Sequence, residues 1–324
     1  MLAAGDRNRR ENTMPHPVLQ QTLAWLVAGC AMWGSAAQAI VSTSDGALLG
    51  GLGQSFLDGV AKLIITRTDG TFGCSGSLLA GGTHVLTAGH CLSGDSGSTS
   101  SNAIQVSFKG GSVTATGVAY FVHPQWDGSL LAGTDLAVIQ LAGAVTNISG
   151  YSLYTSNPVD SATSVVLAGY GLTGNGSTGS VAGTFGTLHY GLNQYDGSGY
   201  RFGGQSVNGT YLYDFDNASP AFNKFGSFGL GSSEVLIAPG DSGGPGLVLA
   251  GDRWFVAGVH SFDSCSRNTC PVNSSFGEVA GDVSVFAQAA WLQSVAGPVP
   301  EPHSYAMLLL GLGLIAGIST RRSR

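Results

Sequence analysis

What most constrains this chain is a lack: between residues 40 and 298 there is no heptad, no fixed-period repeat and, until the very end, no amphipathic helical stretch. Short runs rich in β-branched and aromatic residues recur instead, separated by Gly, Asn and Ser: Val60–Thr66, Thr83–Leu86, Ile104–Phe108, Leu136–Leu141, Val165–Ala168, Thr210–Tyr213 and Trp254–Val259. Short strands at this spacing, broken by turn residues, predict an antiparallel sandwich or barrel rather than alternating βα units. One stretch has helical spacing, Val283–Val295, where Phe286, Ala290 and Trp291 share a face. The glycine-rich stretch 171–209 reads as hairpins with loops, since Thr187–Tyr190 within it is strand-like. The region holds 16 acidic and 7 basic side chains, a net charge of −9, with three lysines and no basic run. That balance argues against nucleic acid as a partner.

Both ends of the 324 residues read as addresses rather than fold. Arg7, Arg9 and Arg10 precede an apolar run, Leu23–Trp33, and then Ala37-Gln38-Ala39. A basic region, a short apolar core and a small-x-small site make a secretory signal over residues 1–39, to be removed by signal peptidase after Ala39. Met14 is an alternative start, and Val27-Ala28-Gly29-Cys30 is an alternative, lipoprotein-type box. At the other end Val299-Pro300-Glu301-Pro302 leads into an apolar run, Tyr305–Ile318, and then Arg321, Arg322 and Arg324. This tail, residues 299–324, resembles the PEP-CTERM sorting signal of Gram-negative bacteria. The resemblance implies transient membrane anchoring, an exosortase-type partner, and a periplasmic, outer-surface or extracellular destination; the alternative is a plain C-terminal anchor. Four cysteines survive signal removal, an even number in an exported chain, and the expected bridges are Cys74–Cys91 and Cys265–Cys270.

Three blocks carry chemistry. In Pro239-Gly240-Asp241-Ser242-Gly243-Gly244-Pro245 a serine sits among glycines, which permit backbone shapes that a Cβ forbids and let a ligand approach main-chain N–H groups. The N–H groups of Gly240 and Ser242 would then converge as an oxyanion hole. A lone serine is a weak nucleophile without a base. Val85-Leu86-Thr87-Ala88-Gly89-His90-Cys91 supplies a histidine at the end of an apolar strand, beside a cysteine able to lock it. Thr134-Asp135-Leu136-Ala137-Val138-Ile139 places an acid at the head of an apolar strand, where an unpaired charge is costly and a histidine partner resolves the cost. Asp127, before Gly-Ser, reads as a turn residue instead.

Together with Cys74-Ser75-Gly76-Ser77-Leu78 and Gly169-Tyr170-Gly171, these blocks, in this order, resemble the trypsin/chymotrypsin family of serine endopeptidases over most of residues 40–298. The resemblance implies an all-β fold of two six-stranded antiparallel barrels closed by a C-terminal helix, acting on protein or peptide substrates with no cofactor and no metal. It implies Ser242 as nucleophile, His90 as base and then acid, and Asp135 as the group that orients the imidazole. It places Ser261 near Asp135, Phe262 in place of a tryptophan beside the substrate, Asp263 at the pocket mouth where the family has glycine, and Gly281 on the opposite wall. Leu236 stands at the pocket floor, where it cannot pair an arginine or lysine. Ala238 replaces a cysteine of the family. Removal of the signal after Ala39 would free Ile40-Val41, resembling the terminus whose ammonium pairs with the acid before the nucleophile, here Asp241.

Two other classes compete. One is a catalytically silent surface or matrix binding module on the same fold, from which the complete Ser-His-Asp set separates the enzyme. The other is a calcium-binding β protein resting on Asp214-Phe215-Asp216-Asn217, which falls short of the roughly six to eight oxygens calcium takes.

Overall fold

The computed structural model describes residues 40–43, 49–50, 54–156, 158–160, 162–198, 201–202, 205–226, 229–230, 233–265 and 273–297. The signal segment, the sorting tail and the Cys265–Cys270 bridge lie outside the described residues.

In the first half, six strands close into a barrel: Val60–Arg67, Gly70–Leu78, His84–Thr87, Ala137–Leu141, Val113–Val122 and Ser101–Phe108, each antiparallel to the next and the last to the first. The period-two alternation that makes these segments strands also fills the barrel. Ile104, Val106 and Phe108 are buried against Leu63, Ile65, Val85 and Ile139, while Gln105 between them is exposed.

The second half is a curled half-barrel, a sheet of nine strands among the described residues. Its path runs Gly197–Ser198, Thr210–Asp214, Glu278–Ser284, Arg253–Cys265, Pro245–Ala250, Thr163–Gly169, His189–Tyr195 and Leu49–Gly50, with Ser152–Leu153 beside Arg253–Cys265. A small separate sheet holds Ile40–Ser42 between Thr173–Asn175 and Val235–Leu236. The helix is shorter than its spacing suggests, covering Ala289–Ala296. Val283 belongs to the preceding strand, paired with both Thr210 and Val259. All seven residues of that strand are buried. A strand buried on both faces carries no in–out alternation to separate it from a helix, so the two merge in the sequence.

The halves meet through apolar side chains from both: Leu57, Leu86, Leu136 and Val138 from the first, Val166, Leu247, Val259 and Val283 from the second, and Leu292 from the helix. The three chemical blocks end at this seam.

Candidate active site

His90 lies in the short helix Gly89–Ser93, directly after the His84–Thr87 strand. Its Nδ1 is 2.7 Å from Asp135 Oδ2, and its main-chain N–H donates to Oδ1 at 2.8 Å. Ser261 Oγ donates to the same Oδ2 at 2.6 Å. Asp135 is fully buried, so three donors replace its lost water. An ionised carboxylate only accepts, so Nδ1 carries the proton and Nε2 is left as the basic nitrogen. Burial pulls the His90 imidazole down, but the charge and hydrogen bond of Asp135, with Asp95 adding, outweigh it and leave the ring raised above the ordinary histidine value.

Cys74 and Cys91 form a disulfide between the Gly70–Leu78 strand and this helix. Cys91 Sγ lies 3.9 Å from His90 Nε2 and 3.6 Å from the Ser242 carbonyl oxygen, so imidazole and serine turn share one neighbour. Cys74, His90 and Cys91 crowd as three ligand-type side chains, but joined sulfurs leave no thiolate for a metal.

The Gly240–Gly244 turn is pinned from both halves. Ser75 of the first barrel donates its N–H to the Ser242 carbonyl at 2.8 Å and its Oγ to the Gly240 carbonyl at 2.9 Å. From the second half, Gly243 N–H donates to the His260 carbonyl at 2.8 Å, and His260 N–H to the Gly244 carbonyl at 2.9 Å. Gly240 has φ +97° and Gly243 φ +81°. A Cβ on Gly243 would stand 2.0 Å from Thr87 Oγ1 and 2.5 Å from the Ser75 carbonyl oxygen, so only glycine fits. Among the described residues, neither the Gly240 N–H nor the Ser242 N–H has a hydrogen-bond partner within the protein.

Asp241, between them, is buried, with Oδ1 accepting from Gly171 N–H at 2.8 Å and Oδ2 from Ala238 N–H at 2.9 Å. Burial pushes its carboxyl up to about 7 against the pull of those bonds. Ile40 is also fully buried, packed with Leu236, Ile237 and Ala238, and takes φ +68°.

The remaining pocket residues are placed as follows. Leu236 is fully buried and paired with Val41, inside the core of the second half. Phe262 lies over Gly281, where a Cβ would be 2.4 Å from its ring. Asp263 is pushed up to about 6, chiefly by burial, and accepts from Ser274 Oγ at 2.9 Å. Asp214 and Asp216 turn to main-chain amides, those of Lys224 and Ala218.

Two features went unread in the sequence. Ser75 had a signal, its place in the Cys-Ser-Gly-Ser block, though nothing there announces that it grips the serine turn. The other is a second, wholly buried histidine–aspartate pair: His260 Nδ1 is 2.8 Å from Asp282 Oδ1, and Asp282 also accepts from Tyr195 at 2.6 Å and Tyr213 at 3.0 Å. Among the described residues, buried His260 Nε2 has no hydrogen-bond partner.

A closed six-strand barrel joined at a seam to a second, curled β sheet defines the chymotrypsin-like serine protease fold. HL collagenase superposes with a TM-score of 0.54 at 19% identity, over 80% of this chain and 97% of its own. Neuropsin, a serine protease expressed in the limbic system of mouse brain, superposes at 0.53 and 16%, over 74% and 95%. The trypsin family model matches residues 58–276, and the PEP-CTERM protein-sorting motif matches residues 298–323. Trypsin delta and trypsin gamma of Drosophila melanogaster are each 27% identical over 239 residues, which is 68% of this chain and 83% of theirs. The chain belongs to the trypsin family.

Proposed function

We propose that the chain is an exported serine endopeptidase that cuts peptide bonds through an acyl-enzyme on Ser242. The observation that carries this reading is the His90 imidazole, fixed by Asp135 at Nδ1 with its Nε2 beside Cys91 Sγ, which also touches the Ser242 carbonyl. Ser242 Oγ attacks the scissile carbonyl carbon while Nε2 takes its proton. The oxyanion settles on the unpartnered N–H groups of Gly240 and Ser242. The C–N bond then breaks as the imidazolium returns the proton to the leaving amine, and water repeats the cycle to release the acid. The family of the chain and the match of its tail to a sorting motif support an exported, exosortase-sorted product: a signal over residues 1–39, a protease domain over 40–298, and a tail over 299–324 that anchors it transiently.

Ile40 and Asp241 belong to the same reading. A β-branched residue at positive φ is strained. Asp241 is a buried carboxyl with which, among the described residues, no lysine or arginine forms an ion pair. Cutting after Ala39 would free an ammonium on Ile40 as the partner of Asp241, and a buried charge without its partner costs about 3–5 kcal/mol. Equal turnover by a form starting at Ile40 and a form with one extra residue, both verified by mass, would refute this coupling.

The test of the whole is a fluorophosphonate probe. It labels the wild-type protein at Ser242, and Ser242→Ala abolishes both label and peptide hydrolysis. A folded wild-type protein that takes no label would leave the silent binding module as the function.

A further inference from the structure

Arg67 closes the Val60–Arg67 strand, at a hairpin whose turn carries Asp69. Its guanidinium is held on three sides. Nε and Nη2 donate to the two Asp69 oxygens at 2.9 and 3.0 Å, in the two-bond fork that arginine makes with a carboxylate. The plane lies 3.7 Å over the Phe72 ring. The remaining nitrogen, Nη1, donates to the main-chain carbonyl of His90 at 2.7 Å. The Arg67 side chain is 8% exposed, against 42% for Asp69, so one face of the device is buried at the histidine and the other meets solvent. That carbonyl also accepts from Gly94 N–H at 2.9 Å, which closes the short helix. An arginine loses much rotamer freedom when pinned, and here stacking and the carboxylate fork pre-arrange it, so one N–H and one positive charge are presented to His90.

We propose that Arg67 is a positioning residue for His90: its bond to the His90 carbonyl fixes the short helix that carries the imidazole, and its charge opposes that of Asp135 on the ring. The proposal rests on His90 acting as the general base. Three charged groups act on the imidazole, Asp135 at Nδ1, Asp95 from the loop after the helix and Arg67 from the hairpin, and Asp69 is paired to Arg67. Burial and Arg67 lower the ring, Asp135 and Asp95 raise it, and the balance is a raised value. Arg67 therefore trims a base that Asp135 alone would hold protonated to higher pH.

The experiment is the pH profile of kcat/KM for wild type, Arg67→Leu, Arg67→Lys and Asp69→Ala, with fluorophosphonate labelling of Ser242 alongside. Activity needs neutral His90, so the acid limb reports the imidazole. Arg67→Leu should move that limb to higher pH and lower the plateau about tenfold, the scale of one hydrogen bond from a charged donor. Asp69→Ala leaves the guanidinium charge uncompensated and should move the limb the opposite way, to lower pH. Arg67→Lys should restore the limb while the plateau stays reduced, because the charge returns without the fork. A purely structural role would lower the plateau in every variant and leave the limb fixed, and that result overturns the proposal. Should Arg67→Leu fail to fold, Asp69→Ala decides alone, since Asp69 is largely outside the core. A folded wild type that takes no label overturns the protease reading and this proposal together, whereas a labelled wild type with unmoved limbs overturns only the role of Arg67.

Discussion

Stability of this protein should fall as pH rises through neutrality, the reverse of ordinary acid denaturation. Glu234 is pushed up to about 8, Asp196 and Asp241 to about 7, and Asp214 and Asp263 to about 6. Burial is the largest cause in each case, and Asp214 and Asp216 add their charge at both Asp196 and Glu234. The folded chain therefore keeps protons that the unfolded chain releases above its own carboxyl values, so unfolding becomes easier as pH rises through the folded values. His90, raised as well, acts in the same sense above its unfolded value. The lowered His84, His123 and His189 act in the opposite sense, but only below the unfolded histidine value. Between about pH 6.5 and about 8.5, Glu234 alone then gives up about 2 kcal/mol, with Asp241 left out of the sum because the freed Ile40 ammonium would hold it charged. Glu234 is 1% exposed, so solvent screening takes little from this. For a domain of this size the loss corresponds to a Tm lower by roughly 4–8 °C. Thermal unfolding of the Ser242→Ala protein, which cannot digest itself, measures this at constant ionic strength. Glu234→Gln removes one titrating group and should flatten the slope by about 2 kcal/mol over that window. A Tm equal or higher at the alkaline end, or an unchanged slope in Glu234→Gln, would refute the reasoning.

Three further outcomes are expected. Gly243→Ala forces a Cβ against Thr87 Oγ1 and the Ser75 carbonyl, and should cost more than about 3 kcal/mol or prevent folding, read by urea titration. Ser261→Ala removes one of three donors from buried Asp135 and should lower kcat/KM about tenfold and Tm by roughly 3–12 °C. A peptide library should show apolar or small residues, not Arg or Lys, before the scissile bond, because Leu236 offers no charge and Asp263 is tied to Ser274; strong selection for Arg or Lys would contradict it.

What the sequence discloses and what it hides follow one rule. Strands and the serine, histidine and aspartate blocks are legible because their signals are local: alternation, turn residues, and glycines packed around one reactive side chain. The contacts that hold the site are not local. Ser75 grips the serine turn from 165 residues away, and Ser261 reaches Asp135 across 126. Nothing in the neighbours of His260 or Asp282 says that the two meet, because their pairing is a matter of strand register. Register also sets the surroundings of Leu236, whose ladder partner is Val41, a pairing that nothing in its own neighbours announces. The helix limit failed for a different reason, since Val283 and Val285 are buried whichever way the chain runs.

Each half of the molecule holds the other half's chemistry in place. The first barrel carries His90 and Asp135, but the hydroxyl that completes the coordination of Asp135 is Ser261 of the second sheet. The second half carries the serine turn, but the hydroxyl and N–H that hold its carbonyls belong to Ser75 of the first. Both crossings are hydrogen bonds of 2.6 to 2.9 Å, a range in which a shift of one ångström abolishes the bond. The apolar layer between the halves, with Leu86 and Leu136 facing Leu247 and Val259, is therefore what fixes the distance from imidazole to serine. Trimming one of those side chains leaves each half's own strands intact and loosens the seam. Its cost falls on the alignment of nucleophile and base before it falls on the fold, because proximity of this kind is lost over about an ångström.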